Sequence, residues 1–220
     1  MTRLPLDGIG MTSQRTRDRL VEQLRTLGIG NSAVLEVIGA TSRHIFVDEA
    51  LASRAYENTA LPIGFGQTIS QPYTVARMTE VLVESSTCRR VLEVGTGSGY
   101  QAVVLAQLVP EVFTVERINA LLVRARQRFQ ALRLRNIRTR HSDGGQGWPE
   151  YAPYDGIVVT AAMREVPEEL LRQLGMGGCM VVPLAGAGGQ QLLRIMRTGA
   201  GFEQELIEAV RFVPLQGGKR

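Results

Sequence analysis

The sequence predicts an α/β domain built on a doubly wound, mostly parallel seven-stranded sheet, with helices ahead of it and an antiparallel C-terminal edge. Three observations carry that prediction. From residue 90 onward, short β-branched runs alternate with helix-length segments, the rhythm of βαβ units whose strands lie parallel. Three glycines, Gly95, Gly97 and Gly99, follow the first of those runs directly, where a strand must turn sharply into a helix. Two strand-like runs near the end have no helix-length segment between them, so they are expected to pair as a hairpin.

The N-terminal third reads as helices. Ser13 is placed to cap a helix that carries Leu20, Val21, Leu24 and Leu27 on one face and stops at Gly28. Asn31 is placed to cap a second, short helix through Val34, Leu35 and Ile38. Residues 53–70 contain Pro62, Gly64 and Gly66 without a clear period, and a loop that long inside a domain points to function or disorder. Its apolar Leu61, Ile63 and Phe65 favour an ordered functional loop. Ser70 then precedes Gln71-Pro72, an N-cap and first-turn signature for a helix carrying Val75, Met78 and Leu82.

The sheet region follows in order. Arg90–Val94 is the first strand, residues 98–109 a helix, residues 112–115 a strand, residues 118–132 a helix, and Ile137–His141 a weaker strand. Residues 155–160 form the fourth strand, and Pro167 opens a helix that ends near the Gly175–Gly178 turn. Residues 180–184 form the fifth strand, and residues 191–196 and 205–213 the closing hairpin. Residues 1–220 are read as one domain, with a helical and loop part at 13–83 and the sheet at 84–220.

Composition narrows the function classes. A chain of 220 residues with 44% hydrophobic and 21% charged residues can bury a full core. No apolar run is long enough to span a bilayer, and the first ten residues lack the apolar stretch of a secretory signal. Cys88 and Cys179 stand apart, without disulfide or metal-ligand spacing, so a reducing, cytoplasmic setting is expected. The net charge is +4 and the isoelectric point about 9.5. Yet Lys219 is the only lysine, and the basic stretch 124–140 is interleaved with Leu132, Leu134 and Ile137. That pattern suits a solvated helix face better than a nucleic-acid footprint.

The informative segment is Glu93-Val94-Gly95-Thr96-Gly97-Ser98-Gly99-Tyr100. Its glycines let a ligand approach bare backbone, beside the free N–H groups of a helix start. A dinucleotide site wants Gly-x-Gly-x-x-Gly, but Tyr100 occupies the last position. No lysine follows that could complete a phosphate loop. Glu93 would repel a pyrophosphate and suits a ligand carrying an amino group and a sulfonium. About 20 residues after the first glycine, Glu116 ends the next strand, where a carboxylate can take both hydroxyls of a ribose. Asp143, in Ser142-Asp143-Gly144 after the third strand, is placed to meet an adenine amino group. Singly, Glu116 reads equally as a surface charge and Asp143-Gly144 as a turn signal. Together, at the carboxyl ends of successive strands, they point to S-adenosylmethionine as cofactor, and hence to a methyltransferase with a Rossmann-like, class I sheet.

Acceptor chemistry follows by elimination. Base amino groups call for an Asp/Asn-Pro-Pro-aromatic motif after the fourth strand, where this chain has Val159-Thr160-Ala161-Ala162. Cytosine C5 chemistry needs a Pro-Cys nucleophile, but Thr87 and Gly178 precede the two cysteines. Phenolic acceptors favour a base or metal, and no ligand-spaced cluster is evident. A carboxylate needs none of this, because with an ordinary pKa of about 4 it is already a nucleophile at neutral pH. A methyltransferase acting on nucleic acid or a small molecule, a non-catalytic cofactor-binding module and a dehydrogenase remain as rivals.

The run Leu61-Pro62-Ile63-Gly64-Phe65-Gly66-Gln67-Thr68-Ile69-Ser70-Gln71-Pro72-Tyr73 resembles the protein-L-isoaspartate O-methyltransferase family. So do residues 93–100, Ala-Pro-Tyr-Asp at 152–155, Val-Thr-Ala-Ala at 159–162 and Phe-Val-Pro-Leu at 212–215. The resemblance covers the chain from Ser13 onward. It implies methylation of the free α-carboxylate of L-isoaspartyl residues in damaged proteins and peptides, followed by spontaneous closure to a succinimide. It implies Ser70 as the catalytic serine, its hydroxyl orienting the acceptor, although Ser70 also reads as a plain helix cap. It implies cofactor contacts from Gln67, Thr68 and Ile69, from Glu93, Gly95, Thr96, Gly97 and Ser98, and from Glu116, Asp143 and Gly144. No metal, nucleic acid or membrane partner is expected, and the working form is expected to be a monomer. The chain departs from the family pattern at Ser142, where glycine is usual, at Glu57-Asn58 after Tyr56, and at Asp48, where proline is common.

Overall fold

A computed structural model describes residues 10–220; the expectation of no secretory signal falls on residues 1–9, outside that range, and on Gly10. Helix α1 (Gln14–Thr26) starts after Ser13 and buries Leu20 and Leu24. It stops where Gly28 adopts a φ of 99°, a left-handed turn that glycine makes without a Cβ penalty. Leu27, expected on the apolar face, is instead 46% exposed. Arg17 occupies the inner position, its guanidinium donating to the Ser42 hydroxyl at 3.1 Å. Helix α2 (Ser32–Ala40) is capped as expected, the Asn31 side chain accepting from the Val34 N–H at 3.2 Å.

Residues 53–70 hold more structure than a loop. A 3₁₀ turn at Glu49–Arg54 leads to a two-stranded hairpin, β1 (Leu61–Gly64) and β2 (Gln67–Ile69), with Leu61 opposite Ile69. Strands this short show no period in a sequence. The turn between them is built by Gly64, Phe65 and Gly66, all at positive φ. Helix α3 (Pro72–Ser85) follows, and its cap is Gln71, not Ser70. The N–H of Tyr73 is satisfied by the Asn58 side chain at 2.9 Å, so Ser70 is not required as a cap and lies one residue outside the helix.

The main sheet comprises β3 (Arg90–Val94), β4 (Glu111–Glu116), β5 (Ile137–His141), β6 (Tyr154–Val159), β7 (Leu174–Gly186), β8 (Gly189–Thr198) and β9 (Gly201–Val210). Their order is β5-β4-β3-β6-β7-β8-β9, parallel from β5 through β7, with β8 antiparallel to both of its neighbours. Helix α4 (Tyr100–Ala106) starts later than expected because Gly99, at φ 89°, keeps Ser98 in the turn, and it also ends short of residue 109. Helix α5 (Asn119–Ala131) links β4 to β5, and α6 (Glu168–Gln173) links β6 to β7. The stretch Gly175–Gly178 is not a turn but the start of β7. A Cβ on Gly175 or Gly178 would lie 3.1 Å from the Tyr154 or Asp155 carbonyl, a tight approach that glycine relieves.

One face of the sheet packs under α1 to α5 and the hairpin, and the other carries Phe113, Tyr154, Leu170 and Met180 with α6. The chain runs outward from β3 to β4 and β5, then returns to β6 on the other flank of β3. That reversal opens a crevice beyond the carboxyl ends of β3 and β6, where ligands bind in open α/β sheets.

Glu80 of α3 fixes the N-terminal helices to this frame. Its nearly buried carboxylate accepts from the Gly30 and Asn31 N–H groups at 2.7 and 2.8 Å and pairs with Arg77 at 2.8 Å. Glu80→Ala leaves two backbone donors unmet and is expected to cost about 2–4 kcal/mol. Urea unfolding should show a lower midpoint with an unchanged slope; an unshifted midpoint would refute the clamp.

Candidate active site

The turn after β3 is the centre of the crevice. The Gly95 and Thr96 N–H groups donate to the Val115 carbonyl at 2.9 and 3.2 Å, which folds the chain over the end of β4. Gly95 has a φ of 101°, and a Cβ there would lie 2.4 Å from the Thr160 hydroxyl oxygen. That hydroxyl, at the end of β6, donates to the Gly95 carbonyl at 2.7 Å. A Cβ on Gly99 would come within 2.7 Å of the Phe129 ring. Only bare backbone fits at either position.

Glu116 is held by the same turn. One carboxylate oxygen accepts from the Gly97 N–H at 2.8 Å and the other from the Ile118 N–H at 2.9 Å. Each oxygen keeps lone-pair capacity for a further donor. Around it, Gln67 and Thr68 of β2, Gly95, Gly97 and Gly144 wall a crevice closed on its far side by Val213–Gln216. A second space behind the turn gathers Thr68, Ile69 and Ser70 with Glu93, Thr96 and Ser98. Of the twelve residues expected at the site, only Asp143 lines neither space. Its carboxylate accepts from the Gly145 N–H at 2.9 Å and the Gly218 N–H at 2.5 Å. Asp143 thus anchors the C-terminal tail and the Gly144 wall.

Glu93, expected as a charge that suits a cationic ligand, sits in an unexpected environment. It is completely buried, receives a hydrogen bond from Thr114, and has one oxygen, Oε1, without a partner. Burial pushes its carboxyl up to about 8, so it holds a proton through neutral pH unless a cation lies beside it.

A third space, of about 320 Å³, lies between Ser70, Gln71 and Tyr73 on one side and Glu208–Val213 on the other. It shares Thr68, Ser70 and Thr160 with the space behind the glycine turn. The Tyr73 hydroxyl donates to Glu208 at 2.8 Å. Burial, with Glu208 adding to it, pushes that phenol up to about 12, which keeps it a donor. Sequence reasoning assigned no role to Tyr73, Thr160, Glu208 or Val213–Gln216. The runs Val159–Ala162 and Phe212–Leu215 were visible as motifs, but nothing in them told which strand ends they would meet.

The profile described as Protein-L-isoaspartate(D-aspartate) O-methyltransferase matches residues 15–220. This chain belongs to that family. It is 62% identical to the protein-L-isoaspartate O-methyltransferase of Halorhodospira halophila (strain DSM 244 / SL1), over 96% of each chain. It is 59% identical to protein-L-isoaspartate O-methyltransferase 1 of Marinobacter nauticus, over 97% of each. A solved protein-L-isoaspartate O-methyltransferase superposes with a TM-score of 0.83 at 27% identity, covering 91% of this chain and 66% of that one. A Plasmodium falciparum candidate of the same activity, in complex with S-adenosyl-L-homocysteine, gives 0.80 at 25% identity over 91% and 98%. The sheet is therefore the class I methyltransferase sheet.

The raised Glu93 carboxyl has a measurable consequence. Between its ordinary value of 4.5 and about 8 the folded state holds a proton that the unfolded chain releases. Folding stability therefore falls as pH rises through that window. Melting temperatures of the wild type and Glu93→Gln, measured without ligand, should diverge from pH 5 to pH 8 in favour of the variant. Parallel pH slopes would contradict the assignment.

Proposed function

We propose that this chain transfers the methyl group of S-adenosylmethionine to the free α-carboxylate of L-isoaspartyl residues in damaged proteins and peptides, starting their repair through a succinimide. One observation carries the reading: Ser70 forms part of the wall between the cofactor-side space and the 320 Å³ acceptor-side space.

The residues at the crevice fit this cofactor. Glu116 has lone pairs left for the ribose hydroxyls, and the glycine turn admits a ligand against bare backbone. Gly144, backed by Asp143, and the segment Val213–Gln216 wall the adenine end; Gln67, Thr68 and Ile69 cover the other side. Thr96, Ser98 and the unpartnered Glu93 oxygen face the methionine portion, whose cationic groups favour the ionised carboxyl of Glu93. When bound, the cofactor supplies an electrophilic methyl on a sulfonium. The chain's own task is then modest. An acceptor carboxylate is ionised at neutral pH, so the enzyme needs to strip its water and align one oxygen with the methyl. Ser70 does the aligning by donating a hydrogen bond to that carboxylate. Tyr73 and Glu208 shape the far wall of the acceptor space.

The remaining features of the reading concern setting. The chain works as a single-domain monomer in the reducing cytoplasm, without nucleic acid or membrane as partner. Among the described residues no helix is long and apolar enough to cross a membrane. Part of the basic stretch is engaged within the fold: Arg128 donates to the Ile45 and Ser98 carbonyls, while Arg138 and Arg140 pair with Glu111 and Glu150.

Incubation with labelled cofactor should give a base-labile methyl ester on an isoaspartyl peptide and none on its aspartyl counterpart. Methyl on nitrogen, or equal labelling of both peptides, would overturn the reading. Ser70→Ala should lower turnover while cofactor affinity stays nearly constant; equal turnover would remove the serine from the chemistry. Glu116→Ala should weaken cofactor binding by about 1–3 kcal/mol, checked by calorimetric titration, and an unchanged dissociation constant would count against its role.

A further inference from the structure

Arg43 is the largest completely buried side chain of the described structure. It opens a 3₁₀ turn at Arg43–Phe46, away from the glycine turn in sequence. Among the described residues no carboxylate forms an ion pair with it. Its Nε donates to the Ala55 carbonyl at 2.8 Å and its Nη2 to the Ser70 carbonyl at 2.7 Å, while Nη1 has no partner. The guanidinium carbon lies 4.7 Å from the centre of the Tyr100 ring. Burial lowers its pKa to about 10, so it remains a cation at neutral pH.

Burying an unpaired cation is costly, and an apolar side chain of similar size would fill the same space more cheaply. What a guanidinium alone offers is several donors in one fixed plane. The two carbonyls it holds flank the hairpin: Ala55 precedes β1 and Ser70 follows β2. The ring beneath it belongs to Tyr100, the first residue of α4, directly after the glycine turn. One rigid group therefore ties the hairpin base, the Ser70 peptide and the exit of the glycine turn together.

We infer that Arg43 is a positioning residue for methyl transfer: it pins the Ser70 peptide against Tyr100 and so fixes the acceptor-side hydroxyl relative to the cofactor-side turn. This rests on the reading of Ser70 given above. The cation also stands behind Ser70 without an anion of its own, so its field favours a carboxylate docked on that hydroxyl. Arg43 touches neither reactant and acts through Ser70.

The test is a double-substitution cycle on the full chain, with kcat and KM for an isoaspartyl peptide and the dissociation constant of S-adenosylhomocysteine as readouts. Arg43→Met should lower kcat about tenfold or more and leave S-adenosylhomocysteine affinity within about twofold. In a Ser70→Ala background the same substitution should cost less than about twofold further, because coupled residues are non-additive. Arg43→Lys, which keeps the charge but not the planar fork, should recover part of the loss and serves in its place if the Met variant does not fold. Equal losses in both backgrounds, or a fall in S-adenosylhomocysteine affinity that matches the fall in kcat, would overturn the positioning role. An unimpaired Ser70→Ala enzyme would instead sink the role of the serine, and with it anything said to act through that residue.

Discussion

The turn that leaves β3 is the constraint on which the site depends. Its backbone is tied on one side to the Val115 carbonyl and the Glu116 carboxylate, and on the other to the Thr160 hydroxyl. Those partners sit on β4 and directly after β6, the two neighbours of β3. The carboxyl ends of three central strands are thereby locked into one rigid edge. Because Gly95 and Gly99 have no room for a Cβ, the lock has no slack, and a ligand meets backbone rather than mobile side chains.

Around that rigid edge the molecule places its changeable chemistry on one connection. The hairpin β1–β2 and its exit carry Gln67, Thr68, Ile69 and Ser70, so the cofactor cover and the acceptor serine of the proposed reading belong to a single short element. The hairpin is too small to hold itself in place. It is held from beneath, by Ile63 against the glycine turn, by the Asn58 side chain on α3 and by the Arg43 fork at its base. The acceptor side is completed from the opposite end of the chain by Glu208–Val213. Under the proposed reading a division of labour follows: the sheet edge defines where the donor lies, and two long-range contributions define what approaches it.

Much of this was legible in the residues. Strand and helix alternation after residue 90 gave the sheet, because buried parallel strands read as compact β-branched runs. Glycine spacing, Glu116 and the Thr68–Ser70 run pointed to residues that the fold brings to one crevice, because their demands are local. Other features depended on tertiary contact. The hairpin escaped because three- and four-residue strands have no measurable period. Ser70 looked like a cap because the group that satisfies Tyr73, Asn58, lies upstream of a turn no periodicity reveals. Glu93 read as a charge because burial beneath the turn, which raises its carboxyl, is a property of the packed sheet. The tail-anchoring part of Asp143 was not legible, because its oxygens accept from the Gly145 and Gly218 amides and Gly218 is far away in sequence.

The C-terminal tail has a consequence for assembly. Val213–Gln216 wall the cofactor crevice, Gly218 bonds Asp143, and Arg220 exchanges backbone hydrogen bonds with Arg117 and Asn119. Contacts of such range close large loops and form after local structure. A nascent chain can therefore order β3, β4 and the glycine turn while this side of the crevice stands open. Docking of residues 213–220 is what closes that wall, so an ordered sheet and a closed crevice are separate events in folding.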